Sequence, residues 1–184
     1  MQHTVAVIVG SPREKSLSRN VAKALMSIAS DNLILQEVPI AHLPLYNGDL
    51  DGDNAPQAWV DFREEISLAD AILFVTPEYN RSIPAGLKNA LDVASRPYGE
   101  NVWSGKPAAV VSVSPGGVGG FGANHHLRQI LVCVDVYPLQ QPEMYIGNAA
   151  KLFGEGGSIN STETRHLLAH FMDAFERHIS AIAG

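Results

Sequence analysis

Cysteine is nearly absent: Cys133 is the one cysteine among 184 residues. No disulfide can form within the chain, which excludes a disulfide-stapled scaffold and fits a reducing compartment. Basic residues are also scarce. Lys and Arg number 13 against 19 Asp and Glu, a formal net charge of -6. Such a surface does not attract nucleic acid, and no nucleic-acid partner is expected. Long apolar runs are missing; none approaches the roughly 20 residues of a membrane-spanning helix. No secretory leader pattern precedes the first apolar segment, and a cytoplasmic location is the expectation. Repeats and low-complexity tracts are missing too. The charged fraction of 17% and hydrophobic fraction of 46% are those of an ordinary globular domain. The length suits one domain, 1–184, with a hydrophobic core of its own.

What is present is an alternation. Val5-Ala6-Val7-Ile8-Val9 is short, apolar and β-branched, the pattern of a strand buried on both faces. Val21, Ala22, Leu25, Ile28 and Ala29 then recur at helical spacing, with Ser16 or Ser18 as a cap. Residues 33–35 read as a second strand, and 39–57 as a loop rich in Pro, Gly, Asp and Asn. Trp59, Phe62, Ile66 and Ala69 mark a helix, 71–75 the clearest buried strand, and Leu87, Ala90, Leu91 and Ala94 another helix behind Pro84. Strands at 108–113 and 134–139 bracket a helix over 124–132. Leu168, Met172, Phe175, Ile179 and Ile182 mark the last helix, with Asn160 and Glu163 spaced as a capping box. Cys133 lies in the apolar run 130–134, and a buried inert thiol is expected there. Strands alternating with helices imply a parallel sheet covered on both faces. Five such units fit an α/β three-layer sandwich of flavodoxin-like strand order 2-1-3-4-5 better than a barrel. Ligands of such sheets bind beyond the carboxyl ends of the strands where the winding reverses.

Three loops begin at those ends. The first, Gly10-Ser11-Pro12-Arg13-Glu14-Lys15-Ser16-Leu17-Ser18, joins a buried strand to a helix. Free N–H groups at the helix start favour an anion, hydroxyls add donors, and an Arg fork matches phosphate oxygens. The second runs Thr76-Pro77-Glu78-Tyr79-Asn80-Arg81-Ser82-Ile83-Pro84. Its prolines stiffen it, Tyr79 offers a flat ring, and the backbone at 78–80 can meet the polar edge of a planar ligand. The third, Ser114-Pro115-Gly116-Gly117-Val118-Gly119-Gly120-Phe121-Gly122, has enough glycine for close backbone approach to a flat ligand.

With these motifs in hand, the chain resembles the NADPH-dependent FMN reductase family, in particular its quinone and chromate reductase branch. Gly10-Ser11-x-Arg13-x-x-Ser16, Pro77-Glu78-Tyr79-Asn80 with Ser82-Ile83-Pro84 and Leu87-Lys88-Asn89-Ala90, and the third loop followed by His126-Leu127-Arg128-Gln129 carry the resemblance over essentially the whole chain. The resemblance implies FMN as cofactor and NADPH or NADH as donor. It also implies a small acceptor such as a quinone, with chromate, azo or nitro compounds and free flavin as further candidates. Ser11, Arg13, Ser16, Leu17 and Ser18 would surround the FMN phosphate. Pro77, Glu78, Tyr79 and Asn80 would line the isoalloxazine, with Ser114 and Gly117 bordering it. The flavin would carry the redox chemistry, and no side chain is expected as general acid or base. A homodimer or homotetramer is implied as well. Lys15 stands where the family often has Gly, Ser18 where it often has Asn, and Arg81 where an aromatic is frequent.

Two other functions fit parts of the sequence. A flavodoxin-type carrier would hold FMN and pass single electrons to a protein. A flavin-free Rossmann dehydrogenase would use Gly117-x-Gly119-x-x-Gly122, but that motif comes late in the chain, and its nearest acid, Asp135, opens the next strand instead of closing it. No metal site is expected. Asp49, Asp51 and Asp53 open like a calcium loop whose sixth and twelfth positions are Asn54 and Val60. His166 and His170, one helical turn apart, lack a third ligand.

Overall fold

The computed structural model describes residues 2–52 and 54–183. Strand β1 (His3–Val9) leads into α1 (Leu17–Ile28), then β2 (Leu33–Glu37), α2 (Gln57–Leu68), β3 (Ala71–Pro77), α3 (Ala85–Ala94), β4 (Pro107–Val113) and α4 (Phe121–Cys133). Two short strands, β5 (Tyr137–Pro138) and β6 (Met144–Ile146), precede α5 (Ala149–Leu152) and α6 (Thr162–Ala183). All strand pairs are parallel, in the order β2-β1-β3-β4-β5, with β6 also on β4. This is the flavodoxin-like order expected from the alternation.

Alternating side chains of the central strands feed two cores. Val5, Val7, Val9, Leu73 and Val75 pack with Val21 and Leu25 of α1 and with Leu168, Phe171 and Phe175 of α6. Ala6, Ile8, Ile72 and Phe74 pack with Trp59 and Phe62 of α2, Leu87 and Leu91 of α3, and Leu127 and Leu131 of α4. Period two in the strands and 3.6 in the helices therefore converge on the same two layers.

The fifth strand position corrects the sequence reading of 134–139. Only Tyr137 and Pro138 pair there, with Pro107 and Ala108, and the chain returns to β4 as Met144–Ile146 against Val111–Val113. Pro138 and Pro142 lack the N–H that a continuous ladder needs. The last helix also shifts its cap. Ser161 Oγ accepts the Thr164 N–H at 3.1 Å, whereas the Asn160 carboxamide donates to the Lys151 carbonyl at 2.9 Å. Cys133 is exposed, not buried. The inward residues of α4 are Ala123, Asn124, Leu127 and Leu131, which leaves its last turn, Val132 and Cys133, facing outward.

The connection after β2 is pinned to the body of the protein at several described residues. Val38, Ile40 and Leu43 are buried, Trp59 Nε1 donates to the Pro44 carbonyl at 3.0 Å, and Asp51 pairs with Arg63 at 2.9 Å. Asp53, the third acid of the calcium-loop pattern, lies outside the described residues. His166 and His170 are both exposed on α6. Among the described residues no helix is long and apolar enough to cross a membrane.

Candidate active site

The carboxyl ends of β1, β3 and β4 open on one cavity of about 540 Å³. From the first loop it is lined by Ser11, Arg13, Lys15, Ser16, Leu17 and Ser18, from the second by Pro77, Glu78 and Tyr79, and from the third by Val113, Ser114 and Pro115. Nine of the eleven residues singled out in the sequence meet there. Asn80 and Gly117 do not line it. Lys15 appeared in the sequence only as a departure. Val113 and Pro115 were missed, although their places beside Ser114 could have suggested them.

The first loop ends at Ser16, which caps α1: its Oγ accepts the Arg19 N–H at 3.1 Å. The earlier amides of the first turn, at Leu17 and Ser18, belong to residues on the cavity wall. Ser18 is only 1% exposed. Arg13 and Lys15 are exposed at the rim and make no ion pair with a described residue. Arg19, by contrast, is engaged by Glu37 at the end of β2. A helix start, wall serines and two cations without ion pairs make this end of the cavity attractive to an anion in a chain of net negative charge.

The second loop is a two-residue turn. Tyr79 and Ser82 exchange backbone hydrogen bonds at 2.9 and 3.0 Å, and Asn80 and Arg81 take φ of 51° and 68°. Both central residues are left-handed, as in a type I′ turn, and this turns Asn80 away from the cavity wall. Tyr79 stays 43% exposed.

The glycines of the third loop correct the sequence reading. A Cβ on Gly119 would lie 2.8 Å from the Tyr145 backbone carbon, and one on Gly120 would lie 3.0 Å from Ser112 Cβ. Their close approach is to the protein itself, and only Gly116 and Gly117 have open faces. Ser114 organises the loop: its Oγ accepts the Gly119 N–H at 3.0 Å and donates to the Gly116 carbonyl at 2.8 Å. Tyr145, on a strand unforeseen in the sequence, sits behind this loop. Its hydroxyl lies 3.0 Å from His125 Nε2, and its ring centroid lies 5.5 Å from that of Phe121. Burial, followed by a hydrogen bond to Glu143 and that residue's charge, pushes its phenol up to about 12.

Residues 3–151 match the NADPH-dependent FMN reductase family. The chain belongs to that family. A quinone reductase of Pseudomonas putida is 57% identical over 94% of this chain and 92% of its own length. A 2-hydroxy-1,4-benzoquinone reductase of a Burkholderia species is 44% identical over 93% of each. Among solved structures, the flavoenzyme NAD(P)H:(acceptor) oxidoreductase FerB of Paracoccus denitrificans superposes with a TM-score of 0.92 at 42% identity, covering 98% of both chains.

Membership in the FMN reductase family fits what the third loop does. In a Rossmann dehydrogenase the glycine-rich turn would present a free helix start to a pyrophosphate. In this FMN reductase relative the start of α4 already faces a carboxylate: Glu78 Oε2 accepts the Ala123 N–H at 3.1 Å.

Proposed function

We propose that this chain is an FMN-dependent NAD(P)H oxidoreductase that reduces quinones or comparable small acceptors. The observation that carries the reading is the single cavity walled by all three strand-end loops, polar and cationic at one end, with Pro77, Tyr79 and Ser114 contributed by the other two. The quinone reductase names of its relatives support the choice of acceptor.

In this reading Ser11, Ser16, Ser18, Arg13 and the Leu17–Ser18 amides hold the FMN phosphate, with Lys15 as a second cation. The Ser18 side chain, on the cavity wall in the first turn of α1, suits a phosphate oxygen. Pro77, the backbone of Glu78, Tyr79 and Ser114 face the isoalloxazine, with Asn80 and Gly117 at the margins. FMN held there would supply two-electron chemistry between a NADPH or NADH donor and the acceptor. The side chains bind, orient and keep water from one face, and none acts as general acid or base. The protein works in the cytoplasm as a homodimer or homotetramer. The exposed Val118 and Phe121, 63% and 51% accessible beside the third loop, support association there.

The test is spectroscopic. Protein purified, or reconstituted with FMN, is treated with NADPH without oxygen and then with a benzoquinone. The flavin bands should bleach and return. A protein that takes up no FMN overturns the reading. One that holds FMN and leaves NADPH untouched is a carrier.

A further inference from the structure

The Glu78 carboxylate has a place in the fold that membership in the family does not assign. Helix α4 starts at Gly120, which has φ of 74° and supplies no capping side chain. Its first amides are therefore orphaned. Glu78, from the second loop, fills the gap across 45 residues of sequence: its side chain is 15% exposed, and Oε2 accepts the Ala123 N–H at 3.1 Å. The same helix grips the turn after Glu78 at two more points. His126 Nδ1 lies 3.0 Å from Ser82 Oγ, and Gly122 packs so closely that a Cβ would stand 2.9 Å from both the Arg81 carbonyl and Glu78 Oε2. A carboxylate at a helix N-terminus is favoured by the dipole and by the charge-assisted bond. The turn it anchors belongs to the loop that contributes Pro77, Glu78 and Tyr79 to the cavity wall.

We propose that Glu78 is a positioning residue: clamped by the start of α4, its carboxylate fixes the Pro77–Tyr79 wall in the orientation that receives the flavin ring. Its negative charge is spent on the helix and not on the ligand. The assignment rests on the FMN reading above. It separates the two ends of the cavity, because the first loop reads the phosphate whereas Glu78 acts through the wall that meets the ring. Arg81, 84% exposed and 3.9 Å from Oε1, adds little to the clamp.

The experiment measures dissociation constants for FMN and for riboflavin, which lacks the phosphate. It also records visible circular dichroism of the bound flavin and the melting temperature of the flavin-free protein. Glu78→Ala should weaken both flavins by the same factor, roughly ten- to a hundredfold, and alter the flavin dichroism. Glu78→Gln keeps the acceptor oxygen and should recover most of the affinity. Gly122→Ala pushes on the same carboxylate from the helix side and should reproduce the equal loss with Glu78 in place, which covers a Glu78→Ala protein that does not fold. A lower melting temperature with unchanged affinities and dichroism means a purely structural cap and overturns the proposal. A loss confined to FMN overturns it as well, since Glu78 would then act at the phosphate. Wild-type protein that binds no flavin overturns the function and this assignment together.

Discussion

The carboxamide of Asn89, on α3, ties down Tyr46 in the long second connection: Asn89 Oδ1 accepts the Tyr46 N–H at 2.8 Å, while Nδ2 donates to the Leu43 and Pro44 carbonyls at 3.3 and 3.0 Å. Asn89 is 7% exposed, so its carboxamide has little water to turn to instead. Asn89→Ala removes the partner of the Tyr46 N–H and of the Leu43 carbonyl, while the Pro44 carbonyl keeps Trp59 Nε1. The change should cost about 1–3 kcal/mol, read as a lower urea midpoint. An unchanged midpoint means the connection holds through Trp59 and Asp51–Arg63 alone.

Arg13 is the guanidinium of the first loop that remains without an ion pair among the described residues, because Glu37 engages Arg19. Arg13→Ala should weaken FMN by roughly ten- to a hundredfold, the worth of an ionic hydrogen bond of about 1.5–3 kcal/mol. Riboflavin should lose little. Equal losses for the two ligands would place Arg13 away from the phosphate.

Tyr79 should be felt by the flavin through its ring. The comparison residue is Tyr98, 93% exposed and not part of the cavity wall. Tyr145 does not serve as a control, since it packs behind the third loop. Tyr79→Ala should reduce FMN affinity about two- to tenfold, the scale of one aromatic contact, and Tyr98→Ala should not. Matching titrations of the two variants would return Tyr79 to an ordinary surface side chain.

Tyr145 should give the folded protein an alkaline limit. Its phenol is raised from 10.0 to about 12, so the folded state holds the proton where the unfolded chain releases it. The stability due to this shift is complete below about pH 10 and is lost as pH rises towards 12. Urea unfolding at about pH 9 and 11 should show a larger loss for the wild type than for Tyr145→Phe. Equal losses would count against the raised value.

Kinetics should report a shared site. Among the described residues the three loops wall one cavity of about 540 Å³, and once a flavin is seated, NADPH and a quinone must approach the same open face. Double-reciprocal plots should be parallel, with each substrate inhibiting competitively against the other at high concentration. Intersecting lines would require a second acceptor site, to be sought where Arg81 or residues 39–57 meet another subunit.

Much of the fold was legible because its signals are local. The run 71–75 announces a strand buried on both faces, and Leu87, Ala90, Leu91 and Ala94 announce an amphipathic helix. The run 134–139 suggested one continuous fifth strand, but Pro138 and Pro142 interrupt it, and three residues, Met144–Ile146, are too short a run for periodicity to reveal. Cys133 shows the opposite error: an apolar run suggested burial, and helix phase put the thiol outside.

The sequence by itself determined the layered sheet, its strand order and the three loops at its carboxyl edge, because hydrophobic period, caps and turn residues act over a few neighbours. Tertiary structure alone decided how those loops meet. It turned Asn80 out of the cavity through a left-handed turn, brought Tyr145 behind the third loop, and placed the Glu78 carboxylate on an amide 45 residues further along. Contacts of that span depend on how α4 lies across the end of β3. That arrangement is set by the packing of Leu127 and Leu131 into a core shared with Phe74 and Leu87, and no local spacing encodes it.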